Sequence, residues 1–553
     1  MPDILLIQPP IRDFYLTTKR TIPYGLSAIA ATLIDAGFSV TIIDMLATKK
    51  SKPIDLQKNM TYLNEYYGRA DVSPFALFHQ FRHFGYSYEH LKHELKKCTP
   101  FLIGISSLFT AYSDEALTCA KIAKEIHPQA KIVLGGHHPT ALPEYVMQHN
   151  FIDYCIRGEG EVSLSDLAIC IKTKKSPETI PGIVFRKKGG HIHVSEPALM
   201  KEPDAYPLPA SHLIKSAYYQ RGKGSAISIM TGRGCPMTCS YCSMGAFFRH
   251  YRKRSVNHVM AELSREASER NARFIDFEDE NLSLDRKWFI TLLERIIQTF
   301  GENHLELRAM NGLFPPSLDE ELITLMKMAG FKTLNLSLGS TDLNQLKRFN
   351  RPDVREKTDH ILNVSDKLGL ETVCYIIAGA PGQTATSSMD DLLYLSHRKA
   401  LVGVSIYYPA PGSLDYDFLE ASGNLPGSFS LMRSTAIPVD NTTSRLESVT
   451  LLRLARIINF IKALKAKGEE IPKPHPYKTS SLKDMSDRTA LGKQILSWFF
   501  HDGKIRGIEP GGLIYEHAVS KPLTKGFIEN FESAPQYAEV RNPNKTNEVS
   551  SNQ

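Results

Sequence analysis

The run T-G-R-G-C-P-M-T-C-S-Y-C-S-M-G, from Thr231 to Gly245, decides how the rest of the chain is read. Cys235, Cys239 and Cys242 stand four and then three residues apart, so one loop can aim all three thiolates at a single metal centre. Iron–sulfur clusters are held by cysteine thiolates and ordinarily take four of them. A 4Fe-4S cluster on three would keep one iron open to a non-protein ligand. Gly232 and Gly234 permit close backbone approach, and Tyr241 sets an aromatic ring beside whatever occupies the open position. Two other readings use the same residues: a structural zinc site, with His250 as the candidate fourth ligand, and buried thiols without a metal.

The C-x3-C-x2-C spacing, with an aromatic residue before the last cysteine, resembles the signature of the radical S-adenosylmethionine enzymes. The resemblance implies that the open iron chelates the amino and carboxylate groups of S-adenosylmethionine. One electron from the reduced cluster then cleaves the sulfonium and releases a 5′-deoxyadenosyl radical. An electron donor such as flavodoxin or ferredoxin is implied as a partner.

At 553 residues the chain is too long for one ordinary core and divides into two or three domains. Its 42% hydrophobic and 23% charged residues are those of a soluble globular protein. The net charge of +7 is mild for this size and does not imply nucleic acid. No apolar run reaches the length of a membrane span. Of eight cysteines, Cys98, Cys119, Cys155, Cys170 and Cys374 fall in or beside apolar runs and read as small buried hydrophobes rather than a disulfide framework. That usage, with a start lacking a signal peptide, gives a cytoplasmic expectation.

Residues 1–200 alternate strand and helix signals. Short apolar strands are expected at Ile4–Ile7, Val40–Ile43, Phe101–Ser106, Lys131–Leu134 and Tyr154–Arg157, with helices at Ile22–Gly37, Ser113–Ile126 and Glu161–Lys174. A hairpin turned at Gly189-Gly190 follows. This pattern predicts a doubly wound, Rossmann-like parallel sheet whose ligand lies at the carboxyl ends of the strands.

The domain resembles the cobalamin-binding domain fused ahead of many radical S-adenosylmethionine domains. The matching features are Tyr24-Gly25-Leu26 opening the first helix, Gly104 to Ser107, Gly135-Gly136-His137-His138-Pro139, and Gly158-Glu159-Gly160-Glu161. The resemblance implies cobalamin contacts from Tyr24, Gly25, Ser106, Ser107, Gly135, Gly136, His137, Glu159 and Gly160, with the serine and double-glycine loops flanking the dimethylbenzimidazole tail. No D-x-H-x-x-G occurs, so the histidine that ligates cobalt in the methionine-synthase type is missing. A domain that kept the fold and lost the cofactor is the competing reading.

An insertion at 49–100 is far longer than an ordinary connection. It carries nine aromatic residues from Tyr62 to Tyr88 and reads as a helical cap packed on the sheet, the alternative being a lining for substrate or corrin. Residues 201–222, with Pro203, Pro207 and Pro209, read as a linker. From 223 to 417 six longer strand–helix units are expected, with strands beginning near Ala226, Arg273, Leu305, Thr333, Thr372 and Val402. They suit the partial (βα)6 barrel of the family, whose functional residues sit at the carboxyl ends of the strands.

Those ends supply the remaining candidates. Glu278-Asp279-Glu280-Asn281 closes the second strand and suits a methionyl ammonium or ribose hydroxyls, or else a solvated helix cap. Ser337 ends the fourth strand, followed by Gly339 where many relatives carry glutamate. By resemblance Arg351 lies near the methionine carboxylate, and Gly379 to Thr384 forms the G-x-P-G-E/Q-T turn beside the adenine, with Gly379 and Gly382 as its contacts. The S-adenosylmethionine set is thus Tyr241, Glu280, Ser337, Arg351, Gly379 and Gly382.

Beyond Asp417 the resemblance fades. A mainly helical region is expected at 418–533, including an amphipathic helix over Ser444–Lys467 with basic residues on its outer side, and a polar disordered tail at 534–553. The whole reads as an α/β protein: a cobalamin-binding-like sheet, a partial barrel and a helical region. Its implied activity is methyl transfer from methylcobalamin to an unactivated carbon of a small molecule. A radical cyclase or rearrangement catalyst with the same cofactors is the alternative among enzymes, and a corrinoid-binding carrier or sensor the alternative outside them.

Overall fold

The computed structural model describes residues 1–14, 22–222, 224–479, 481 and 485–531. The expected tail at 534–553 lies outside the described residues.

The N-terminal sheet contains β1 (Ile4–Gln8), β2 (Val40–Asp44), β3 (Leu102–Ser106), β4 (Lys131–Gly135), β5 (Tyr154–Ile156), β6 (Ile183–Arg186) and β7 (Ile192–Val194). Its spatial order is β7-β6-β5-β4-β3-β1-β2, parallel from β5 to β2, with the predicted hairpin β6–β7 added antiparallel at one edge. Order 2-1-3-4-5 is a doubly wound sheet with its crevice beside β1 and β3. Alternate residues face opposite sides. Leu5, Ile7, Ile103 and Ile105 pack under helix Ser113–Ile126, while Ile4, Leu6, Leu102 and Val133 pack under helices Tyr24–Asp35 and Gly160–Thr173. Each such side chain contributes about 1.5–3 kcal/mol on burial.

All six strands of the second domain are present: β8 (Gly224–Ile229), β11 (Ala272–Phe277), β12 (Glu306–Ala309), β13 (Thr333–Gly339), β14 (Glu371–Ala378) and β15 (Leu401–Ile406), with a small ribbon of β9 (Gly232–Arg233) and β10 (Arg252–Lys253) between the first two. They do not pair as one continuous sheet. β8-β11-β12 and β13-β14-β15 are separate parallel sheets, bridged by the isolated pairs Leu307 with Phe331 and Leu313 with Leu336. The cause is local: β12 has four residues, and the chain then turns through Gly312 (φ 97°), so that Leu313 N donates to Asn335 O at 2.6 Å in place of a strand residue.

The insertion differs from expectation. It supplies strand Arg82–Phe84, which pairs with Ile11–Asp13 on one side and with the insertion's own Ser51–Pro53 on the other, and a single longer helix, Tyr88–Leu95. Gly68, Pro74 and Gly85 interrupt the segment, so no long helix can span it. Only its last part caps the sheet, where Leu91 and Leu95 pack with Ile103 and Ile105; Tyr67, Phe75 and Phe81 instead enter the core of the second domain, with Phe75 edge-on to Phe460 at 5.6 Å.

Helix Arg445–Ala466 is opened by a Ser444/Glu447 capping box, as its sequence predicts. Its basic side is not all outward. Arg453 is 2% exposed and donates to Tyr66 O (3.2 Å) and Phe75 O (3.5 Å), and burial lowers its pKa to about 10. Helices Arg488–Asp502 and Lys521–Phe531 and the hairpin Arg506–Ile508/Ile514–Glu516 complete the C-terminal region. Among the described residues no helix is long and apolar enough to cross a membrane.

Candidate functional site

The three cysteines lie on the loop between β9 and β10, which pair antiparallel through Gly232–Lys253 and Arg233–Arg252. Buried Asp279, from the turn after β11, anchors the entry to that loop. It accepts from Thr231 N (3.0 Å), Thr231 Oγ1 (2.6 Å) and Gly232 N (2.6 Å), and burial raises its pKa to about 6. Gly234 turns at φ 84°, and a Cβ there would sit 2.5 Å from the Phe248 carbonyl oxygen. Only glycine fits. Cys235 N donates to that same carbonyl at 3.0 Å, Cys242 N to Cys239 O at 3.1 Å, and Ser240 N to Phe349 O at 3.1 Å.

The thiols are half-buried and near enough to one another that neighbouring thiolate charge adds to burial in raising Cys235 and Cys242, the latter to about 11. His250 is exposed, and among the described residues no group of three or more His, Cys, Asp or Glu side chains is disposed as a ready metal cage. His250, the candidate fourth ligand of a structural zinc, does not join the three cysteines in such a group. Three thiols on one loop without a fourth fit a cluster with an open iron.

Charged groups with spare hydrogen-bonding capacity surround this loop. Glu280 is raised to about 7 by burial, its Oε2 lacks a partner, and its charge raises Cys235 and Cys242. Asn281 Oδ1 is also buried and unpartnered. Opposite in charge, Arg351 Nη1 donates to the Tyr241 hydroxyl (2.9 Å) and Ser337 Oγ (3.0 Å), and Nη2 donates to Ser337 O (2.9 Å). Its Nε is buried and free. Gly339 turns the backbone at φ 85°, and a Cβ there would reach only ordinary contact with Arg351 Cδ at 3.7 Å, so the glycine serves the turn rather than the arginine. A carboxylate and a guanidinium beside the cysteines match the ammonium and carboxylate of S-adenosylmethionine.

Gly379 (φ 76°) and Gly382 (φ 78°) form the turn after β14. Gln383 braces it, its Oε1 accepting from Ala380 N (3.2 Å) and its Nε2 donating to Ile377 O (2.9 Å). The sequence reading missed that role of Gln383, placed Asp279 among the ligand candidates where it anchors the loop instead, and did not single out Arg233 or Arg252.

On the N-terminal sheet, Ser106 pairs with Gly135 at the ends of β3 and β4. Ser107 N donates to Gly135 O (2.7 Å), and His138 N to Ser107 O (3.2 Å). Ser107 Oγ is buried without a partner, Gly135 faces open space where a Cβ would go, and Leu108 and Phe109 alongside are exposed. An unpaired hydroxyl and an open glycine beside exposed apolar side chains fit a cobalamin tail. Gly136 serves the fold instead: at φ 116° its Cβ would lie 2.6 Å from Ser107 O. His137 packs edge-on against Phe248 of the cysteine loop, ring centroids 5.2 Å apart.

The other expected cobalamin residues, Gly25 apart, are packed or bonded within the protein. Glu159 receives both Arg252 nitrogens (2.7 and 2.9 Å) and Met200 N (2.5 Å). Gly160 lets Ile29 approach, whose Cδ1 would lie 2.7 Å from an added Cβ. The Tyr24 hydroxyl accepts from Arg254 Nη1 at 3.3 Å, while Gly25 faces open space.

The family model described as B12 binding domain matches residues 76–168, and that of the radical SAM superfamily matches residues 229–393. The chain is 26% identical to the cytidylyl-2-hydroxyethylphosphonate methyltransferase of Streptomyces wedmorensis, over 68% of this chain and 73% of the relative. It is 26% identical to the anaerobic magnesium-protoporphyrin IX monomethyl ester cyclase of Cereibacter sphaeroides, over 54% of this chain and 49% of that one. The chain spans between about one third and three quarters of the length of the curated relatives it matches. Its fold is similar to the radical S-adenosylmethionine methyltransferase TsrM from Kitasatospora setae, solved with cobalamin and a 4Fe-4S cluster, at 18% identity and TM-score 0.57 over 77% of this chain and 76% of that one.

Proposed function

We propose that this chain, which carries a B12-binding domain and a radical SAM domain, is an enzyme that methylates an unactivated carbon of a small molecule. The observation that carries the reading is the contact of His137 with Phe248, because it sets the double-glycine loop of one domain against the cysteine loop of the other. When bound, the cluster with S-adenosylmethionine would supply radical chemistry and cobalamin a methyl group; such cofactors carry the reaction while the protein binds and orients them.

The residues of this chain divide that work. Cys235, Cys239 and Cys242 hold the cluster. Glu280 and Arg351 receive the ammonium and carboxylate of S-adenosylmethionine, and the Gly379–Gly382 turn lies against its adenine. Ser106, Ser107 and Gly135 border the cobalamin tail, and no D-x-H-x-x-G histidine reaches the cobalt. The electron arrives from a flavodoxin or ferredoxin. Similarity to a cyclase gives a second reading, in which the same residues serve ring closure and no methyl group is transferred.

The test is anaerobic reconstitution with iron, sulfide and hydroxocobalamin, followed by methyl-deuterated S-adenosylmethionine and a strong reductant. Formation of 5′-deoxyadenosine and transfer of the deuterated methyl to cobalamin are expected. Deoxyadenosine without methylcobalamin would favour the cyclase reading, and neither product would leave a carrier or sensor.

A further inference from the structure

We infer that Glu159 and Glu161 are positioning residues for the cluster loop, acting through Arg252 and Arg233. This inference rests on the reading of Cys235, Cys239 and Cys242 as cluster ligands. Arg233 and Arg252 are paired residues on the two strands that form the base of the cysteine loop. Both reach out of their own domain to the same short segment of the N-terminal sheet. Arg233 Nη2 donates to Glu161 Oε1 at 2.5 Å, and Arg252 grips Glu159 with two nitrogens. The carboxylates are 3% exposed in each pair, the arginines 20% and 12%. Bidentate arginine–carboxylate pairing fixes orientation as well as distance.

The segment is rigid on its own side. Glu159 and Glu161 flank the start of helix Gly160–Thr173, where the dipole favours negative charge. Gly158 turns at φ 86°, and Glu159 also accepts from Met200 N. With both Glu159 oxygens engaged by the cluster ribbon and the Met200 amide, the segment serves the cluster rather than a corrin. The cysteine loop is thus held from two domains: by Asp279 within the second, and by these carboxylates from the first.

Wild type, Glu161→Gln, Glu159→Gln and Glu161→Asp are reconstituted anaerobically as full chains and compared in three measurements. These are the rate of iron loss to an iron(II) chelator, the paramagnetic resonance of the reduced cluster, and hydroxocobalamin affinity by titration. The glutamine variants should lose iron about tenfold faster, as when a partner that orients a ligand is removed, with an altered resonance signal and cobalamin affinity within about twofold of wild type. Glu161→Asp should recover part of the loss. Should Glu161→Gln not fold, the double variant E161M/R233M leaves no unpaired charge and is read in the same assays. Wild-type iron retention with weakened cobalamin binding would assign the carboxylates to the corrin and overturn the inference. Loss of fold in every variant would overturn it in favour of a purely structural pair. Wild type that holds no cluster at all would fail the cluster reading instead.

Discussion

The Arg351 guanidinium donates to the Tyr241 hydroxyl at 2.9 Å, joining the residue before the last of the three cysteines to the loop beyond β13. Three of its five N–H donors are engaged, and its buried Nε has no partner and is left to give a hydrogen bond. Arg351→Met should weaken S-adenosylmethionine binding by about 10- to 100-fold, corresponding to a charge-assisted hydrogen bond of about 1.5–3 kcal/mol. Arg351→Lys should recover only part, because lysine lacks the fork. Equilibrium dialysis of cluster-loaded protein checks this, and an affinity for S-adenosylmethionine unchanged in Arg351→Met would sink it.

Replacing Cys235, Cys239 and Cys242 together by alanine should abolish iron and sulfide retention while leaving the far-ultraviolet circular dichroism unchanged. The loop base is tied by Asp279 and the β9–β10 ribbon, not by the thiols. Stoichiometric zinc in the reconstituted wild type, without iron–sulfur absorbance, would refute the cluster assignment.

A pH dependence follows from Asp391, which is buried and accepts from Ser340 Oγ, Thr341 N and Thr341 Oγ1 in the turn after β13. Burial raises its pKa from 3.8 to about 7, against the lowering effect of those hydrogen bonds. A raised folded pKa means the native state favours the protonated acid, so that contribution is present at low pH and is lost as pH rises towards 7. Asp391→Asn does not titrate. Its stability relative to wild type should therefore rise between pH 4 and pH 8 by on the order of 2–4 kcal/mol. Chemical denaturation of the cluster-free protein at both pH values measures this, and a pH-independent difference would contradict it.

What the sequence made legible was local. Cysteine spacing and strand periodicity are set by residues close in the chain, so the loop, the six strands and the Gly189-Gly190 hairpin are found where expected. What it hid was distant. Arg233 and Arg252 find their glutamates 72 and 93 residues away, so nothing beside them marks them as clamps. Arg453 looks like part of a solvated basic face, yet carbonyls 387 and 378 residues away draw it inside. The aromatic stretch before the insertion's helix has no helical period, and the entry of Tyr67, Phe75 and Phe81 into the second domain's core depends on partners such as Phe460 that no local pattern reveals.

The double glycine separates cofactor binding from folding, because its two members do different work. Gly135 has an ordinary φ and open space where its Cβ would be, so a side chain there projects into the region assigned to the cobalamin tail without disturbing the strand. Gly136 has φ 116° and the Ser107 carbonyl 2.6 Å from the position of a Cβ, so even alanine strains the turn. Gly136→Ala should destabilise the protein by about 1–3 kcal/mol, the usual cost of such backbone strain. Gly135→Leu should leave stability and the iron–sulfur cluster intact and reduce hydroxocobalamin affinity by at least about tenfold, which requires only about 1.4 kcal/mol of steric conflict. Calorimetric titration with hydroxocobalamin, alongside thermal unfolding of both variants, makes the comparison. Wild-type cobalamin affinity in Gly135→Leu would move the tail away from this loop, and the unpaired Ser107 hydroxyl would then need another partner.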